Sequence, residues 1–339
     1  MNSPTTGQPE QNKALIERLS GALYNYTPES AQLILGELLH TDAAVHLCHP
    51  LGSMNGPDAL YETAYRPLHE AIPDLERREY IRMAGPSETA HQWVGCAGFY
   101  TGVFSRPWLG IPATGHVLTM RFHEFFRIEN GKVVEIQAIW DICDVMLQAG
   151  VWPMARSLGH ELHIPGPALN DGIRKNAYDA SESQQTRQHV IDMLNHMQRH
   201  PLQGGPEIMR MDQYWHPKMM WYGPSGIGTS RGIEGFRRRH QIPFLNAMPD
   251  RGQNNEGVSA HFFADGPFAA VTGWPSMSQH LSCDGWLGIA PSGQKLAIRS
   301  LDFWRLEDGL IRENWVLLDL LDIYRQLDVN VLARMQELA

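Results

Sequence analysis

The sequence predicts an α+β protein built from two tandem cone-shaped barrels, each a curved antiparallel sheet closed on one side by helices. Three observations point there: an internal repeat, a helix-then-strand order inside each copy, and a Gly/Pro-rich stretch between the copies. His40, Gly52, Gly56, Pro73 and Asp74 recur as His216, Gly228, Gly232, Pro249 and Asp250, at a shift of 176 (216 − 40). Further on, "WLGI" at 108–111 recurs at 286–289, and Gly115, Leu118 and Arg121 recur as Gly293, Leu296 and Arg299, at a shift of 178 (299 − 121). From 125–148 against 303–326 the identities include Phe125/Phe303, Arg127/Arg305, Glu135/Glu313, Asp141/Asp319, Asp144/Asp322 and Gln148/Gln326. The two-residue change of shift is a loop-length difference that a shared fold tolerates.

The units are expected at 12–154 and 184–339, joined by 155–183, a stretch rich in Gly, Pro, Asn and Ser without periodicity that reads as a linker. "NKALIERLSGALYN" and "SQQTRQHVIDMLNHMQ" space apolar residues by three and four and predict amphipathic opening helices. "PDALYETAYRPLHEAIPD" and "GIEGFRRRHQIPFLNAMPD" predict a second helical segment, stopped by Pro73 and Pro249. Strands follow. "HQWVGCAGFYTGVF" and "HVLTMRFHEFFRI" in the first unit, with "FAAVTGWPSM" and "KLAIRSLDFWRL" in the second, are rich in β-branched and aromatic residues. "ENGK" and "EDGL" supply the Asn-Gly and Asp-Gly of hairpin turns.

Composition narrows the function. Hydrophobic residues make up 43% and charged residues 19%, ordinary for a packed globular protein. A net charge of −9 offers no sustained basic surface, so neither nucleic acid nor an anionic membrane is expected as a partner. The opening residues lack a secretory pattern, no run of about 20 apolar residues could span a bilayer, and Cys48, Cys96, Cys143 and Cys283 fall singly. A cytoplasmic location is expected.

The final strand of each unit runs into a helix through an aspartate, in "EIQAIWDICDVMLQA" (135–149) and "ENWVLLDLLDIYRQL" (313–327). Strand alternation puts Glu313, Trp315, Leu317 and Asp319 on one face, and Glu135, Gln137, Ile139 and Asp141 likewise. Two carboxylates on a strand face fit a ligand cavity, although an Asp at such a junction also caps the helix that follows. Arg121, His123 and Arg299 stand on the preceding strands as donors for a developing oxyanion, with surface ion pairing or a satisfied core histidine as the plainer alternatives.

Other motifs carry less. "HLCH" (46–49) would split its ligand types across two strand faces, and "HELH" (160–163) spaces its histidines by three rather than four, so no metal site is expected. "RRRH" (237–240) reads as a solvated helix face, with His240 its one residue that could reach a cavity mouth.

Gly131 to Glu135, Asp141 six residues on and Gln148 seven beyond, with the parallel Gly309, Glu313, Trp315, Asp319 and Gln326–Leu327, resemble the closing motif of the SnoaL-like polyketide cyclases of the nuclear transport factor 2-like superfamily. The "FHEFFRIENGKVVE" and "LDFWRLEDGLIRE" hairpins and the "AIPD" and "AMPD" helix ends are similar to the same family. The resemblance implies two cones and cofactor-independent acid/base chemistry on a small enolisable carbonyl compound: aldol cyclisation, retro-aldol cleavage, isomerisation or dehydration. It places the acid/base at Asp319 and Asp141, assisted by His123, with Glu313, Trp315, Glu135, Gln137, Arg121 and Arg299 around a small apolar or aromatic ligand. No cofactor is implied. Relatives that are single units and dimerise suggest a pseudo-dimer within this chain, with room for further self-association. The alternative is a non-catalytic binding or interaction module, since this fold serves many functions.

Overall fold

The computed structural model describes residues 7–253 and 255–337; residues 1–6, within the stretch read above as lacking a secretory pattern, lie outside it. The first unit opens with α1 (Gln8–Tyr24), which buries Ile16, Leu19 and Leu23 on one face. Next comes α2 (Pro28–Leu38), started by a capping box between Thr27 and Ser30. β1 (Leu39–Leu47), β2 (Ser53–Asn55), α3 (Gly56–Leu60) and α4 (Arg66–Ala71) lead into β3 (Glu76–Pro86), β4 (Gln92–Val103), β5 (Val117–Glu129) and β6 (Lys132–Trp140), and α5 (Ile142–Gln148) closes the unit.

The second unit repeats the plan with α6 (Ala180–Met197), α7 (Met211–Tyr214), β7 (Trp215–Tyr222), β8 (Ser230–Arg231), α8 (Gly232–Phe236) and α9 (Ile242–Ala247). It continues through β9 (Ala260–Asp265), β10 (Phe268–Gly273), β11 (Met277–His280), β12 (Lys295–Ile298), β13 (Ser300–Glu307) and β14 (Leu310–Leu318), then α10 (Leu320–Gln326) and α11 (Val331–Gln336).

The sheets carry the same order, β2-β1-β6-β5-β4-β3 and β8-β7-β14-β13-β10-β9. Both are open rather than closed barrels, and both are mixed. The first strand of each lies parallel to the last, β1 beside β6 and β7 beside β14, while the other neighbours are antiparallel. That parallel pairing joins strands far apart in sequence, which hairpin signals cannot report.

Between α3 and α4, and again between α8 and α9, one turn widens to π geometry at Tyr61–Tyr65 and Arg237–Gln241. Pro67 and Pro243 just beyond these turns lack the N–H that a regular helix would use there.

The sheets meet face to face. Phe125 stacks on Phe303 with ring centroids 5.0 Å apart, and the two occupy the same place in the repeat (303 − 125 = 178), so the contact sits on the pseudo-twofold axis. A side chain at Gly95 would come within 2.8 Å of the Phe303 ring, which explains a glycine inside β4. At one edge, Lys13 and Asp265 form a buried ion pair at 2.8 Å between units. Residues 155–179 contain isolated bridges but no helix or strand, and they bond to both units: Gly172 accepts from Arg82 N at 2.9 Å, and His160 pairs with Thr229. Cys48, Cys96 and Cys143 are buried free thiols and Cys283 is an exposed one. Among the described residues no helix is long and apolar enough to cross a membrane.

Candidate active site

Each sheet has two faces with opposite duties. The face carrying His123, Phe125, Leu301 and Phe303 meets the other unit, and the face carrying Glu124, Asp302, Trp304, Asn314 and Val316 looks toward the helices of its own unit. Between that second face and the helices, the second unit holds a cavity of about 420 Å³. Its wall is mainly aromatic and sulfur-bearing, with Met193 and Met197 from α6, Trp215 and Trp221 from β7, Phe236 and Phe244 from the helices, and Trp304 from β13.

Asp302 is the only carboxylic acid among the described residues lining this cavity. Burial pushes its pKa up to about 7, against the hydrogen bond that Ser300 Oγ donates at 2.6 Å and the positive charge of Arg251. The group therefore exchanges a proton near neutrality. His240, placed by the π turn, stacks on Trp221 with centroids 4.2 Å apart. Burial, helped by the charge of Arg251, lowers its pKa to about 3, so its imidazole stays neutral. Nδ1 of His240, Oε1 of Gln241, and Nε1 of both Trp215 and Trp304 are buried without a hydrogen-bond partner among the described residues. An apolar chamber with one titrating carboxyl and several unspent polar atoms suits a ligand with few polar groups.

The first unit has filled the same space. Glu124 stands where Asp302 does (302 − 124 = 178), but it accepts from Arg77 at 2.8 Å, Tyr100 Oη at 2.8 Å and Trp140 Nε1 at 2.9 Å. Only about 10 Å³ remains beside it. With three buried donors on its roughly four acceptor sites and almost no space beside it, this carboxylate has little left to direct at a ligand.

The sequence-derived candidates fall elsewhere, and none of the nine lines this cavity. Strand parity groups the candidates of the two closing strands, Glu135, Gln137 and Asp141 with their counterparts Glu313, Trp315 and Asp319, but that face is turned to the other unit or to the linker. Asp319 accepts from the backbone N–H of His49, at 3.0 and 3.2 Å, and from Arg299 at 3.0 Å. Asp141 accepts from the N–H of Ser225 at 3.1 Å and lies 3.4 Å from Arg121. Because 225 − 49 = 176, each aspartate grips the equivalent loop of the opposite unit. Burial, and then the neighbouring Asp322, raise Asp319 to about 6 despite Arg299 and the His49 N–H. Asp319 also caps α10 through Asp322 N at 3.2 Å, whereas Asp141 makes no such cap.

His123 packs against Phe303 and bonds Leu301 O at 2.6 Å through Nδ1. Burial and the nearby Arg121 hold it well below the usual histidine range despite that bond. Arg121 also donates to the carbonyls of Tyr222, Gly223 and Val316. Gln137 accepts from Thr272 Oγ1 at 2.6 Å and donates to Glu135. Burial would raise Glu135, but hydrogen bonds from Arg127 and Gln137 hold it below the usual range. Trp315 donates from Nε1 to Pro165 O at 3.0 Å, and Glu313 accepts from Ala168 N at 3.3 Å, so both hold the linker. Arg299 lies over the Trp274 ring at 4.6 Å.

Asp302 lies one position before the block of identities that begins at Phe125/Phe303. Extending it back by one position pairs Glu124 with Asp302, an acid kept in both copies between buried neighbours. Arg251 and Gln241 gave no signal of their own, and "RRRH" looked solvated although His240 faces the cavity.

A family model described as SnoaL-like polyketide cyclase matches residues 25–149 and 205–327. No curated protein matches at a significant level. Among solved structures, wild-type IdmH of Streptomyces antibioticus, provisionally a polyketide cyclase, is 20% identical at a TM-score of 0.35, covering 41% of this chain and 99% of its own. A provisional SnoaL-like polyketide cyclase of Jannaschia sp. CCS1 is 19% identical at 0.36, covering 43% and 94%. AclR of Streptomyces galilaeus, provisionally a hydroxylase, is 19% identical at 0.35, covering 43% and 84%.

Proposed function

The chain belongs to the SnoaL-like polyketide cyclase family and carries its domain twice; from that premise we propose that the second unit performs acid/base chemistry on a small enolisable carbonyl compound, with Asp302 as the proton-transferring group. One observation carries the reading: a carboxyl poised at about 7 lines a largely apolar chamber, while its counterpart Glu124 is held by three buried donors and walled in.

In the ionised form, Asp302 takes a proton from the carbon next to a carbonyl, and the C–H electron pair moves into an enolate. A neutral donor on the wall, the His240 imidazole or the Trp304 indole, hydrogen-bonds the enolate oxygen. When the enolate carbon attacks a second carbonyl, a C–C bond forms and the Asp302 carboxylic acid returns its proton to the new alkoxide. The same two transfers serve isomerisation if the proton goes back to a different carbon. Aromatic walls exclude water, which keeps the carboxyl's pKa near the working pH.

The test is α-proton exchange or turnover of cyclisable polyketide-like carbonyl compounds by the full chain and by Asp302→Asn. A loss of about 10²–10⁴-fold at unchanged fold supports the reading. Full activity in the variant takes the proton transfer away from Asp302, and ligand binding without any exchange in the parent leaves the non-catalytic alternative standing.

A further inference from the structure

We infer that the cavity of the second unit selects substrates bearing an anionic oxygen, such as a carboxylate, and that Arg251 is the residue that receives it; this rests on the reading of that cavity as the active site. Arg251 lines the chamber, its Nε buried without a hydrogen-bond partner. Its guanidinium lies over the Phe244 ring at 5.7 Å, and among the described residues no carboxylate comes within ion-pair distance of it. The acids near it in sequence are engaged elsewhere: Asp250 holds the backbone N–H and Nδ1 of His280, and Glu256 stands near Lys295 at 3.9 Å.

Arg251 is half-buried and Asp302 acts on its charge only from beyond contact, so the side of the guanidinium facing the apolar chamber lacks a paired carboxylate, which is costly where water is excluded. An anionic ligand group supplies that partner through a two-pronged contact. The first unit is the internal control. Its residue at the place of Arg251 is Leu75 (251 − 75 = 176), packed in the core, and its buried cation, Arg77, is closed against Glu124 at 2.8 Å. Where the cavity is filled, the charges touch; where it is open, Arg251 and Asp302 line it without touching.

The experiment is titration calorimetry of the full chain at pH 6 with two probes of similar shape, naphthoate and the uncharged acetylnaphthalene. Naphthoate is expected to bind at least about tenfold more tightly. Arg251→Leu should abolish that preference while keeping the acetylnaphthalene affinity, and Arg251→Lys should retain part of it, with circular dichroism reporting the fold of each. Equal binding of the two probes, a preference that survives Arg251→Leu, or no binding of naphthoate overturns the inference. Asp302→Asn separates it from the catalytic reading: that variant should lose turnover and keep the preference. Lost turnover with no preference sinks the inference alone, and a preference with undiminished turnover sinks the catalytic reading alone.

Discussion

Two acids at one place in the repeat show how surroundings set chemistry. Asp302 faces a largely apolar chamber, bonded to Ser300 with Arg251 near but not in contact, and Glu124 faces three donors. In the proposed role of base Asp302 has to be ionised, so kcat/KM should rise with pH through about 7 and then level off, a profile that Asp302→Asn removes. The same group has a stability signature. Its folded pKa lies above the unfolded value, so between pH 4 and 7 the folded chain holds a proton that the unfolded chain has released. Its contribution is fully present near pH 4 and is lost as pH rises through 7. Thermal melts across that window should decline less steeply for Asp302→Asn than for the parent. Glu124→Leu should behave differently, leaving Arg77 short of a buried partner at a cost of about 3–5 kcal/mol while turnover per folded molecule is unchanged. Near-normal stability of that variant would mean that Arg77 relaxes onto Glu79 alone.

The strand-to-helix junctions after β6 and β14 are where each unit reaches across to the other. Asp141 and Asp319 accept backbone N–H groups of opposite loops, and both stand beside an arginine of their own unit. An amide keeps the shape of the aspartate and loses the charge-assisted bonds. Asp141→Asn and Asp319→Asn should therefore each lower stability by about 1–3 kcal/mol and change turnover by only a few-fold. The opposite result, turnover lost more than a hundredfold at an unchanged melting temperature, would move the chemistry to these junctions, where strand alternation and the family resemblance both point. The π turns make the same point for helices. One places His240 against Trp221 and the chamber, which a regular helix face read from "RRRH" does not suggest.

Taken whole, the molecule is an unequal pair, one unit sealed and one open, sharing a sheet-to-sheet interface centred on Phe125 and Phe303. An aromatic pair of this kind contributes about 0.5–1.5 kcal/mol beyond its buried area. Phe303→Asp would place an unpaired carboxylate in that contact and should destabilise the full chain by roughly 3 kcal/mol or more, read as a lower denaturation midpoint. Solution scattering of the parent should fit a single particle with the units in contact. Two separately tumbling lobes in the parent would show that the contact does not persist in solution.

Particular residues mark how far the sequence could be read. The repeat was legible because identities such as Phe125/Phe303 and Asp141/Asp319 hold a constant spacing, and with it came the α+β class, the hairpins and the order of the later strands. The capped helix α2 and the strands β1, β3 and β7 lack a strong alternation to announce them, and β9 announces itself only through the Asp265-Gly266 step of its tight turn into β10. Strand alternation correctly placed Glu313, Trp315, Leu317 and Asp319 together. It could not say toward what they look, because a period of two divides residues between two faces and leaves both faces equivalent until something packs on them. Tertiary structure broke that symmetry: helices and a cavity cover the Asp302 face, and the second sheet and the linker cover the other. Which copy stayed open was decided there too, since Arg77, Tyr100 and Trp140 converge on Glu124 from three strands, and no local pattern in the sequence records that convergence.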